Sequence, residues 1–266
     1  MPSIGRLRFI DVPAGGTERP RGTLLLVHAF PLHARMWEPQ FALAERGWRI
    51  VAPDLRGLGA AAGDPATTSM DDYAGDVIDL LDALHIDSAV IGGLSLGGYV
   101  TMALLRQAPA YFRGIVLADT RPQADPPEAV EGRKKMQALV REKGPAAVAD
   151  QMLPKLLGET THNTQPAIAD RVRALILSNA PEGISGALTA MMTRQESESL
   201  LASIRCPALV VVGDEDTLTP PALSEDMQRK IPGAVLAKIS GAGHLANLEQ
   251  PARFNEALGQ FLDQRI

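Results

Sequence analysis

The sequence predicts an α/β fold in which a mostly parallel central sheet is flanked by helices and carries an inserted helical cap. Three observations point to it. Short unbroken apolar runs recur along the 266 residues, helical patterns separate them, and one long segment has helical patterns but no strand. Runs without polar alternation suit strands buried on both faces, and regular strand–helix alternation suits parallel connections.

The runs come in order: "TLLLVH" from Thr23, "RIVAP" from Arg49, "SAVIGG" from Ser88, "GIVLAD" from Gly114, "ALVVVGD" from Ala208 and "AVLAKIS" from Ala234. Each is closed by turn residues. Between them, Met70 to Leu84 places Tyr73, Val77, Leu80, Leu81 and Leu84 at helical spacing, and a final helix is expected from Pro251 to Leu262. "GLGAAAGD", Gly57 to Asp64, reads as a loop. From about Arg121 to Ile204 four helical patterns are punctuated by Pro126, Pro127, Gly144, Pro145, Gly158, Pro166, Pro181 and Gly183. Residues 1–120 and 205–266 are therefore assigned to the core and 121–204 to the cap. The cap carries Met136, Met152, Met191 and Met192, flexible apolar side chains that suit either helix packing or the wall of a pocket.

Composition narrows the function. With 45% hydrophobic residues there is enough apolar material for a sizeable core. The net charge of -5 and a longest basic run of "GRKK", Gly132 to Lys135, argue against nucleic acid or an anionic membrane as partner. The single cysteine, Cys206, has no partner for a disulfide or a metal site and is expected to be a buried small hydrophobe. The N-terminal stretch lacks the apolar core of a secretory signal, and no apolar run approaches the roughly 20 residues that span a bilayer. A soluble cytoplasmic protein is the expectation.

The chemistry centres on "VIGGLSLGGY", Val90 to Tyr99, where Ser95 stands between Gly93 and Gly97 at a strand-to-helix junction. A turn this sharp forces a positive φ on the serine and brings the flanking positions too close for side chains. It also projects the hydroxyl outward, beside the Leu96 N–H and the positive end of the following helix, both suited to a forming anion. Such a serine needs a base, and the base a carboxylate that fixes its tautomer. Of five histidines, His85 and His162 read as surface residues, and His28 as a brace for the loop after its strand. The role of His33 stays open. His244 lies in "SGAGHLANLEQP", a glycine-rich loop after a late strand, and is the expected base. "VVVGDEDTLTPP" offers Asp214, Glu215 and Asp216; Asp216 is favoured because it lies past the turn. The order Ser95, Asp216, His244 fits a triad built on an open parallel sheet.

With these residues placed, the chain resembles the α/β-hydrolase superfamily over nearly its whole length. The resemblance rests on "HAFPLHARMW", "DLRGLG", "GLSLGG", "GDEDTLTP" and "GAGHLANLEQP", five motifs in the family order. By texture it is most similar to the capped esterase and 3-oxoadipate enol-lactonase branch. The resemblance implies that the Phe30 N–H joins that of Leu96 in an oxyanion hole, although Ala29 stands where the family usually has glycine. It also implies that Asp54 and Arg56 organise their loop, and that a serine at position 95 disfavours epoxide hydrolysis and dehalogenation, which need an aspartate. Leu32, Trp37, Met152, Met191 and Leu245 are the candidate substrate contacts.

The expected activity is hydrolysis of carboxylic esters or lactones of small, largely apolar substrates through an acyl-enzyme on Ser95, with no metal or organic cofactor. Two alternatives share the constellation: cofactor-free perhydrolysis or carbon–carbon bond hydrolysis, and a small-molecule receptor with little turnover.

Overall fold

The computed structural model describes residues 1–4, 7–16, 20–61 and 69–266. Eight strands form one sheet: β1 (Ser3–Ile4), β2 (Leu7–Val12), β3 (Gly22–Val27), β4 (Trp48–Asp54), β5 (Ala89–Leu94), β6 (Phe112–Ala118), β7 (Ala208–Gly213) and β8 (Val235–Ile239). Their order is β1-β2-β4-β3-β5-β6-β7-β8. β1 and β2 are antiparallel to their neighbours and the other pairings are parallel. The six apolar runs correspond to β3 through β8.

Two strands lie outside the expectation and one differs from it. In β2, buried Leu7 and Phe9 flank exposed Arg8, so "LRFIDV" alternates instead of forming an apolar run. β8 closes the sheet as an edge strand, and its Val235, Leu236 and Ala237 are only half-buried.

Each face of the sheet buries its own apolar cluster. On one face α1 (Met70–Ala83) and α2 (Leu96–Gln107) set Tyr73, Val77, Leu81, Val100 and Leu104 against the strands. The Ser69 side chain and Asp72 form a reciprocal capping box that starts α1. On the other face Trp37 and Leu43, from a 3₁₀ stretch over Ala34–Arg46, pack with Phe254 and Leu258 of the C-terminal helix Pro251–Arg265. Of the loop Gly57 to Asp64, positions 62–64 lie outside the described residues.

Between β6 and β7 the regular elements are all helices: α3 (Pro127–Leu156), α4 (Glu159–Thr164), α5 (Pro166–Leu177), α6 (Pro181–Met192) and α7 (Glu198–Leu201). Pro127, Pro166 and Pro181 each occupy a first turn, where a missing N–H costs nothing. α3 bends at Gly144, whose φ of 73° breaks the helix before Pro145 restarts it. Gly183 departs from its expected role. It lies inside α6, where any side chain would collide with the Gly57 carbonyl, so it marks a close approach and not a break.

The chain runs from β3 outward to β4 and then crosses back to β5, which also pairs with β3. At such a reversal, loops leaving neighbouring strands diverge and leave a crevice at their C-terminal ends. The loop carrying Phe30 follows β3 and Ser95 follows β5, so both stand at this crevice.

Candidate active site

Ser95 sits between β5 and α2 with φ 56° and ψ -111°. A residue with a Cβ is strained there by an amount of order 1–3 kcal/mol, so its surroundings must hold it. They do so at both ends: the Ser95 N–H donates to Ala118 O at 2.9 Å, and Ser95 O accepts from the Gly98 N–H and the Thr120 hydroxyl, each at 2.9 Å. A side chain at position 93 would overlap the backbone of Gly97, and one at position 97 would overlap the Val27 carbonyl. The Ser95 hydroxyl makes no capping bond to α2 and is left for other partners.

His244 and Asp216 come together from the loops after β8 and β7. Their Nδ1 and Oδ2 are 2.8 Å apart, and both residues are 3% exposed, which shields the pair from water. Burial alone would raise the Asp216 pKa. The charge and hydrogen bond of His244, together with hydrogen bonds from the Thr219 hydroxyl and N–H, outweigh it and hold the carboxyl below its usual range. Asp214 instead accepts from the Gly241 N–H, and Glu215 accepts from the Thr160 N–H at 2.8 Å and from the Thr160 hydroxyl. Of the three acids in the run, Asp216 alone meets the imidazole.

Ser95 and His244 border one chamber of about 160 Å³, shared with Phe30, Tyr99, Arg121, Arg133, Met152, Met191, Leu218 and Thr219. The hydrogen bonds of the imidazole run through Nδ1 to Asp216 and Thr219, and among the described residues none joins it to Ser95 Oγ. Neither the Phe30 nor the Leu96 N–H donates a hydrogen bond within the described residues. Hydroxyl, imidazole, carboxylate and two unused N–H groups are the parts that acyl transfer requires.

Of the five apolar candidates for substrate contact, Met152 and Met191 line this chamber. Leu32, Trp37 and Leu245 do not. They are at most 1% exposed in the cluster on the other face, and Trp37 lies 6.1 Å from the Phe254 ring. Their side chains belong to the core. Cys206 also departs from expectation: it is half-buried and borders a separate surface depression with Leu105 and Phe112, and burial pushes its thiol pKa up.

Other buried polar groups frame the site. His28 Nδ1 donates to Ala29 O at 3.0 Å and its Nε2 accepts the Leu55 N–H at 3.0 Å, bracing the loop after β3 against the one after β4. Burial lowers its pKa to about 4. Ala29 is fully buried without disturbing this turn, and its carbonyl also accepts the Leu32 N–H. Asp54 accepts the N–H groups of Ala34 and Ala60, and Arg56 pairs with Asp76 at 2.5 Å. His33 is buried beside Ser178 of the helical segment, 3.1 Å away, a structural place in the same loop.

Three features escaped the sequence. Asp119, at the end of β6, is fully buried with φ 43° and accepts the Gly213 N–H at 2.8 Å. Burial and the nearby Asp216 charge push its pKa well above the ordinary carboxylate value. Glu249 accepts from the N–H groups of Leu245 and Gly158 and from the Thr161 hydroxyl, tying the His244 loop to the helical segment. Arg121 and Arg133 reach the chamber from that segment; "GRKK" contained Arg133 but gave no sign of its direction. Among the described residues no group of three His, Cys, Asp or Glu side chains is placed to hold a metal, and no helix is long and apolar enough to cross a membrane.

Known proteins share this architecture. 3-Oxoadipate enol-lactonase 2 of Acinetobacter baylyi is 27% identical over 244 residues, covering 92% of this chain and 89% of that protein. A thermophilic esterase from Thermogutta terrifontis, solved with malate bound, is 38% identical with a TM-score of 0.92 over 97% of this chain and 93% of that one. The enol-lactonase from Burkholderia xenovorans LB400 is 25% identical with a TM-score of 0.87, over 97% and 96% of the two chains. The profile of the alpha/beta hydrolase family matches residues 24–257. With a match of that extent on a sheet of this order, the chain belongs to the alpha/beta hydrolase family.

Proposed function

We propose that the protein is a serine-dependent carboxylic ester hydrolase, an esterase or lactonase, that works through an acyl-enzyme on Ser95. The observation that carries this reading is the strained Ser95 bordering the same chamber as a buried His244–Asp216 pair. The similarity to an esterase and to enol-lactonases supports the choice of bond.

Ionised Asp216 keeps the proton of His244 on Nδ1, which leaves Nε2 as an acceptor on the chamber side. Nε2 takes the Ser95 proton as Oγ attacks the carbonyl carbon; the N–H groups of Phe30 and Leu96 hold the oxyanion, each worth about 3 kcal/mol of barrier. The imidazolium then protonates the leaving oxygen as the carbon–oxygen bond breaks. Water, deprotonated by the same Nε2, releases the acid and regenerates Ser95. In free enzymes this catalytic hydrogen bond is often long and tightens only when substrate is bound. In this scheme residues 121–204 act as a cap over the chamber.

The test is turnover of p-nitrophenyl acetate through hexanoate and of small lactones, with and without peroxide. Hydrolysis without peroxide is expected, and Ser95→Ala should lower kcat by about 10⁶. A Ser95→Ala variant within tenfold of wild type, or activity that requires peroxide, overturns the reading.

A further inference from the structure

We propose that the chamber is built for esters or lactones that carry a carboxylate, which Arg121 and Arg133 hold while the reacting carbonyl meets Ser95. This rests on the acyl-transfer reading above and replaces the expectation of largely apolar substrates.

The argument starts at Asp125, whose side chain is fully buried and meets three guanidinium groups. Arg194 is 2.6 Å away, Arg121 is 3.1 Å away, and Arg133 is in direct contact. Burial alone would raise the Asp125 pKa, but Arg133 and Arg194 hold it below its usual range, so it stays ionised. One carboxylate against three guanidinium groups leaves an excess of two positive charges. Chamber-lining residues include no Asp or Glu to balance them.

The three arginines are not equivalent. Arg194 is 7% exposed, donates to the carbonyls of Met191 and Gln123, and lies over the Tyr99 ring at 4.1 Å. It is committed to the fold. Arg121 and Arg133 line the chamber, and among the described residues no acceptor meets Nη1 of either. Arg121 Nε is buried without a partner. A structural explanation would need one arginine to neutralise Asp125, and Arg194 already does so. Arg121 and Arg133 keep 23% and 20% of their side-chain surface, so they are only partly desolvated, but two further cations held this close to Arg194 favour the arrival of an anion.

A substrate carboxylate meets that need. Planar guanidinium groups match its two oxygens, and bonds between such groups are among the strongest polar contacts in proteins. Met152 and Met191, which line the same chamber, suit a short methylene linker. At about 160 Å³ the chamber is smaller than the roughly 300–1,000 Å³ usual for ligand pockets. The class is therefore a short hemiester of a dicarboxylic acid, or a small lactone with a carboxylate arm.

The test compares kcat/KM for methyl hydrogen succinate with that for methyl pentanoate, which replaces the carboxylate with an ethyl group. Wild type should favour the hemiester by about tenfold or more, and the preference should shrink as NaCl rises from about 0.02 to 0.5 M. Arg121→Gln and Arg133→Gln should each cut the preference about tenfold, and Arg121→Lys should restore part of it by charge alone. Circular dichroism melts establish that each variant is folded. In parallel, calorimetry measures succinate binding to wild type and to both Gln variants, a readout independent of turnover. Loss of all hydrolysis with succinate binding intact and arginine-dependent would overturn the acyl-transfer reading and leave the anion site standing. Equal or better use of methyl pentanoate, a preference unchanged within about twofold in folded Gln variants, or no succinate binding, would overturn the anion site while Ser95-dependent hydrolysis stood.

Discussion

Single residues carry the chemistry in proportion to how tightly their surroundings define them. Ser95 is held in a strained conformation by the Ala118 carbonyl, the Gly98 N–H and the Thr120 hydroxyl, and the glycines around it are present because backbone occupies the space a side chain would need. That is why the triad candidates were legible in sequence: the turn demands glycine at fixed offsets, and the family order supplies the rest. Asp119 was not legible, because an aspartate closing an apolar run looks like any strand end. Its buried carboxyl keeps a proton to higher pH in the folded state than in the unfolded one. As pH rises above the unfolded value near 4, the unfolded chain releases that proton first, and stability falls toward the folded pKa. Asp119→Asn removes this titration while keeping an oxygen for the Gly213 N–H. Its melting temperature relative to wild type should therefore climb as pH rises above about 4. A constant or shrinking difference would mean that the native carboxyl is ionised.

At the scale of elements, β3 to β7 were visible because each is buried enough to be nearly continuously apolar, and β8 because it stays largely apolar although half-buried at the edge, whereas β2 was hidden by its alternation. The helical segment was visible through the prolines that open its helices. Which side chains turn inward was not, because direction depends on how a helix packs. Leu32 and Trp37 therefore fell to the core while Arg133 reached the chamber. The join between β3 and β4 has its own signature in His28. Unfolded, its imidazole takes up a proton near pH 6.5; folded, it resists until about pH 4. Stability is thus fully present above 6.5 and lost as pH falls through that window, by about 3 kcal/mol. Denaturant melts should show wild type losing that much more than His28→Gln between pH 6.5 and 4; parallel losses would contradict a neutral buried imidazole.

Across the whole molecule, side-chain hydrogen bonds hold a helical segment against the sheet. Glu249 does part of this from beneath, with three hydrogen bonds that join the His244 loop to Gly158 and Thr161. Glu249→Ala leaves those donors unmet and should cost about 3 kcal/mol of stability. Proteolysis within residues 121–204 should quicken, and a variant as stable and protease-resistant as wild type would refute this latch. The family and the sheet were legible from spaced motifs, but the charge of the chamber was not: Arg121, Asp125, Arg133 and Arg194 are spread over more than seventy residues and meet only in three dimensions. The central claim remains that Ser95 is made nucleophilic by His244. Reaction with a fluorophosphonate, followed by intact mass and peptide mapping, tests it most directly. We predict one adduct, on Ser95, formed rapidly by wild type and at least about a thousandfold more slowly by His244→Ala. Labelling at another residue, or at Ser95 with a rate indifferent to His244, would contradict the account.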